Sequence, residues 1–146
     1  MKAAFLKGTK KMIIKDVEDP KPKTDQVVVK VKYCGICGSD LHAYETGVYA
    51  GIMGHEFSGE IESIGESVKG WKVGDRVTAN PNVGCGSCYY CKRGETNQCM
   101  KYTVIGIANA PGAFAERVAV RADLLRKLPE GISFEAGTLI EPLAPL

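Results

Sequence analysis

The 146-residue sequence contains one tryptophan, two histidines and no apolar run long enough to cross a bilayer. Nor does one sign of charge dominate: 19 Lys and Arg against 17 Asp and Glu leave a net charge of +2, scattered along the chain. That balance argues against a basic face for nucleic acid or an anionic membrane surface. The opening MKAAFLKGTKKMIIKD lacks an apolar segment and a small-residue cleavage site. No secretory signal is therefore expected, and the working compartment is read as the cytoplasm. The chain also lacks a G-x-G-x-x-G turn after a strand, a phosphate-cradling P-loop, internal repeats and low-complexity tracts. What it does have is 45% hydrophobic and 25% charged residues, enough for the packed core of a single ordinary domain.

Strand signals dominate. Short alternating or β-branched runs predict strands over Lys2–Leu6, Met12–Val17, Gln26–Cys34, Phe57–Gly65, Gly74–Asn80 and Ala113–Val120. Helix signals are few: a short helix over Cys37–Tyr44, and one over FEAGTLIEPL that Ser133 can cap, with Glu135 in its first turn. Many short strands punctuated by 17 glycines predict a mainly β fold, a partly open barrel or a sandwich.

Cysteine is where the sequence concentrates its chemistry. In a reducing cytoplasm six cysteines read as metal ligands or catalytic groups before disulfides. Cys85, Cys88 and Cys91 are separated by two residues each, and Cys99 follows after seven more. Two-residue gaps let the backbone turn around one tetrahedral ion, and four thiolates close its coordination, so the expected site is structural zinc. In peptides such a site contributes on the order of 10–16 kcal/mol to folding, comparable to the whole stability of a domain. An iron–sulfur cluster opens with similar spacing but brings its fourth cysteine sooner, followed by proline; Met100 stands there. The neighbouring Tyr89, Tyr90, Lys92 and Arg93 could stack on and neutralise a nucleic-acid strand, but the small net charge argues against nucleic acid as a partner.

A second group lies upstream. Cys37, His42, His55 and Glu56 offer a thiolate, imidazoles and a carboxylate, the donors of a three-ligand zinc site with an open position. Asp40 could hold a ligand imidazole in its tautomer. Each residue also has a plainer reading: a hydrogen-bonded histidine, a Glu56 paired to lysine, a Cys37 acting as a small buried side chain. Spacing alone leaves both readings open.

GICGSDLH, MGHEFSGE, VGDRV, the four-cysteine loop, GAFAE and EPLA occur in this order along the whole chain. Together they resemble the zinc-dependent medium-chain alcohol and polyol dehydrogenases, such as those acting on sorbitol, butanediol and threonine. The resemblance implies a GroES-like catalytic domain over residues 1–146, with a zinc lobe at about 84–100. It implies that Cys37 and His55 are ligands of a catalytic zinc and that Asp40 supports His55. Ser39 resembles the hydroxyl that passes on the alcohol's proton, and His42 an outer relay group. Glu56 and Glu141 both resemble candidates for the third ligand, Glu141 standing where other members carry a cysteine. Cys34 matches no role in the family and is read as a small buried residue.

The activity so implied is oxidation of a small secondary alcohol or polyol by hydride transfer from a zinc alkoxide to NAD or NADP. The family's nucleotide-binding Rossmann domain has no counterpart in the 146 residues. The chain alone is accordingly expected to bind zinc and turn over negligibly, and homo-oligomers are expected of the intact enzyme. The alternative is a zinc-stabilised binding or scaffold module without catalysis, which would hold one zinc rather than two.

Overall fold

A computed structural model describes residues 1–107 and 109–144. The valines of Gln26–Cys34 (β3) form its centre. Val27, Val28 and Val29 are all buried, so both faces of the strand are covered, as a continuous β-branched run requires. β3 pairs antiparallel with Phe57–Ile64 (β5) on one side and Arg117–Arg121 (β10) on the other. Arg76–Ala79 (β6) and Leu125–Lys127 (β11) extend this sheet to five strands, in the order β10-β3-β5-β6-β11. Register shifts between Val28 and Val29 and between Val31 and Tyr33 are bulges that bend the sheet.

Lys2–Gly8 (β1), Lys11–Asp16 (β2) and Gly51–Ile52 (β4) form a second sheet, in the order β2-β1-β4. The stretch before β10 joins the two sheets. Ala115 bridges Ala3, Phe114 O accepts from Ala4 N at 2.8 Å, and Glu116 O accepts from Val31 N at 3.0 Å. The result is a partly open barrel around Val27, Val29, Phe57, Ile61, Val77 and Val120. Each fully buried side chain of this size contributes about 1.5–3 kcal/mol. A small third sheet, Asn82–Val83 (β7), Thr103–Ile105 (β8) and Asn109–Ala110 (β9), clamps the base of the four-cysteine loop.

The expected strand over Ala113–Val120 is regular only from Arg117. Gly112, Ala113 and Phe114 instead donate to the carbonyls of Ile52, Gly54 and Met53. The expected helix after Ser133 forms in two pieces, Phe134–Gly137 (α3) and Ile140–Leu143 (α4). Pro142 explains the break, since it has no N–H to donate to Thr138 and its ring crowds that carbonyl. The Ser133 cap is present, its hydroxyl accepting from Ala136 N at 3.1 Å. The helix predicted at Cys37–Tyr44 spans Gly38–Thr46 (α1), and a short Tyr89–Lys92 helix (α2) lies inside the cysteine loop. Among the described residues no helix is long and apolar enough to cross a membrane.

Candidate metal centres

Thiolate sulfur needs donors around it. In the loop between β7 and β8, Cys85, Cys88, Cys91 and Cys99 bring their sulfurs within 4.8 Å of one another, and all four are free thiols. Backbone N–H groups of Cys85 and Lys101 donate to Cys99 Sγ at 3.2 and 3.3 Å. The Ser87 hydroxyl and nearby backbone N–H groups hold the Cys85 thiol down to about 5, and those of Cys91 and Met100 lower Cys88. Burial pushes Cys91 up to about 11. Gly84 keeps the approach clear: a Cβ there would lie 3.1 Å from Cys91 Sγ. Converging thiols with N–H donors and no S–S bond fit a closed tetrahedral metal site, as the spacing predicts.

The second group forms where α1 meets the start of β5. Cys37 caps α1, and its N–H donates to Asp40 Oδ2 at 2.9 Å. Ala43 anchors the helix to Leu6 and Met53. His55 follows Gly54, whose φ of +91° favours glycine. Two further glycines pack on that turn: a Cβ on Gly106 or on Gly112 would stand 2.4 Å from Gly54 O. Gly35 does the same for Glu56, donating to its carbonyl at 2.7 Å and leaving room where a Cβ would meet Oε2 at 2.4 Å. Cys37, His55 and Glu56 thereby offer three ligand atoms within 4.8 Å of one another.

Polar atoms around this cluster are left without partners. His55 is 4% exposed, and its Nδ1 stands 3.7 Å from Asp40 Oδ1, too far for a hydrogen bond. His55 Nδ1 and Ser39 Oγ are both buried and unpartnered. Such groups normally find partners; what fits a zinc ion is the convergence of a thiolate, an imidazole and a carboxylate on one point. Ser39 and His42 lie three residues apart on α1, which puts them on one face. His42 is exposed.

Glu141, on α4, lies outside the three-residue cluster but within its electrostatic reach. Burial raises its carboxyl above the ordinary range, His55 opposes this, and Glu56 and Asp40 reinforce it. Cys34 packs against the core, and burial, then the charges of Asp40 and Glu56, push its thiol up to about 12. That agrees with the plain reading of this residue. The glycines stacked on Gly54 were not singled out in the sequence. Gly54 stands directly before His55, but nothing local marks Gly106 and Gly112 as its neighbours.

The family model of the alcohol dehydrogenase GroES-like domain matches residues 23–130. The chain belongs to this family. It is 39% identical to sorbitol dehydrogenase of Bacillus subtilis (strain 168), over 99% of the chain and 43% of that protein. Among solved structures, galactitol-1-phosphate dehydrogenase from Escherichia coli superposes with a TM-score of 0.92, at 34% identity over 98% of the chain and 42% of the other. An alcohol dehydrogenase from E. coli CFT073 complexed with cofactor NADH gives a TM-score of 0.90, at 40% identity over 97% and 42%. The chain spans less than half the length of these relatives.

Proposed function

We propose that the chain is the catalytic domain of a zinc-dependent dehydrogenase that oxidises a secondary alcohol or polyol. The balance is alcohol plus NAD⁺ or NADP⁺ giving ketone, NADH or NADPH, and a proton. The convergence of Cys37, His55 and Glu56 carries this reading. A zinc ion bound there would supply Lewis acidity that makes an alcohol far easier to deprotonate.

The chain's own residues do the rest. Asp40 braces both ends of the site, capping α1 beneath Cys37 and standing beside the imidazole of His55. With the ring proton on the Asp40 side, the other nitrogen's lone pair is free for the metal. Ser39, whose Oγ is buried and unpartnered, takes the alcohol's proton, and His42 on the same helix face carries it to water. Glu56 is the third donor, and Glu141 stands near enough to influence the site's charge. The four-cysteine loop holds a second, structural zinc. The whole protein works in the cytoplasm as a homo-oligomer, with a nucleotide-binding domain beside this one.

Metal content tests the reading. Protein prepared under reducing conditions and loaded with zinc is expected to hold two ions per chain. His55→Ala should remove one and Cys88→Ser the other. A parent chain that holds only one ion, kept in full by His55→Ala and lost from Cys88→Ser, would leave a scaffold stabilised by sulfur alone.

A further inference from the structure

A cavity of about 720 Å³ lies away from the barrel core, on the opposite face of β6. Val77 and Ala79 point into the core, so Thr78 between them points out, beneath α4, which packs on this strand. Arg126 pairs directly opposite Thr78 across β6 and β11, and facing residues of a pair share a face. Thr78 and Arg126 line the cavity together with Asn80, Asn82, Asn97 and Glu141.

The lining is rich in unspent donors. Arg126 forms no ion pair among the described residues; only its Nη1 is engaged, donating to the carbonyls of Asp123 and Leu125 at 3.1 and 2.8 Å. Asn80 Oδ1 accepts from Asn82 N at 3.0 Å, and Asn82 Oδ1 accepts from the Tyr102 hydroxyl. With their oxygens committed, these amides present NH₂ groups. Thr78 is 1% exposed, and its hydroxyl has no partner among the described residues. A guanidinium fork, amide N–H groups and a hydroxyl make a donor set for a multidentate anion. Glu141 gives the cavity an acidic end, the one that feels His55 and Glu56.

We infer that this cavity is a subsite for the phosphate end of an alcohol substrate, with Arg126 as its specificity-determining residue. This rests on the proposed dehydrogenase reading for the other end of the same substrate. The phosphate monoester sits on Arg126 and the asparagine amides, and the hydroxyl-bearing chain runs past Glu141 toward Cys37 and His55. A volume of this size suits a six-carbon chain.

Calorimetric titration of the zinc-loaded chain with glucitol 6-phosphate, glucitol and inorganic phosphate tests the inference. The ester is expected to bind about tenfold or more tightly than either other ligand. Arg126→Gln should erase that preference while leaving glucitol binding unchanged. Asn97→Asp, an exposed substitution that spares the Arg126 carbonyl contacts, should erase it too. Equal affinity for ester and glucitol, equal affinity for ester and inorganic phosphate, or a preference surviving both substitutions would overturn the subsite. Failure of the dehydrogenase reading looks different: His55→Ala would release no metal while Arg126-dependent ester binding persisted.

Discussion

Arg121 Nη1 donates to the carbonyl of Gly84 at 2.7 Å, tying the four-cysteine loop to β10. The same guanidinium grips Asp123 through Nε and Nη2 at 3.0 and 2.6 Å, which holds it in place for the loop. A thiolate at Cys91 would also feel this guanidinium. Arg121→Ala should cost about 1–2 kcal/mol of stability. It should also speed zinc release to a chromogenic chelator severalfold, with the barrel's circular dichroism unchanged. Unaltered release would mean the loop holds its own shape without the tether.

Asp40 serves the helix and the imidazole together. Asn at this position retains an oxygen for the Cys37 N–H but loses the negative charge beside His55. Asp40→Asn should weaken metal at the Cys37–His55–Glu56 cluster by about 10–100-fold and leave the four-sulfur ion in place. Competition titration with a metal indicator, read against His55→Ala, resolves the two sites. A matching loss at both would instead signal general unfolding.

Gly112 is a packing requirement. A methyl there would lie 2.4 Å from the carbonyls of both Gly54 and Met53 and 2.5 Å from the Cα of Gly106. These are backbone atoms with little room to yield, so Gly112→Ala should destabilise the fold by about 1–3 kcal/mol and displace His55. Urea denaturation gives the first quantity and metal stoichiometry the second. Gly70, where a Cβ meets nothing within 4 Å, has a φ of +79°, so Gly70→Ala should suffer only backbone strain and keep both ions.

Asp75 gives the fold an acid-sensitive element. Its carboxyl is held below the usual carboxylate range, first by the Lys72 N–H at 3.0 Å, with the charges of Lys72 and Lys127 adding to it while burial opposes. A folded-state value below the unfolded one, near 3.9, contributes stability fully present above about pH 4 and lost as pH falls through the folded value. Asp75→Ala should therefore cost about 1 kcal/mol near neutrality. The gap from the parent chain should close in acid, where both carboxyl forms are protonated. Paired urea melts across that range read the difference, in which any metal loss common to both chains cancels.

Much of this was legible in the sequence because the signals were local. The valine run of β3 and the alternation of β5 each carry their own period. The short helix carrying Ser39, Asp40 and His42 was also visible, and so was the Ser133 cap. β4, β7 and β9 were not, since two residues have no periodicity to read. The break between α3 and α4 hinged on one proline whose effect acts four residues back.

By itself the sequence determined the sulfur loop, because Cys85, Cys88, Cys91 and Cys99 lie within fifteen residues and a short chain can close on itself. Tertiary structure decided everything that depends on distant segments meeting. Cys37 reaches His55 and Glu56 only because β1, β4 and the 112–114 stretch hold the Gly54 turn against the N-terminus of α1. Arg126 comes to face Thr78 only through the pairing of β6 with β11. Such contacts form when buried surface offsets the entropy of closing long loops, and residue order alone does not carry that balance.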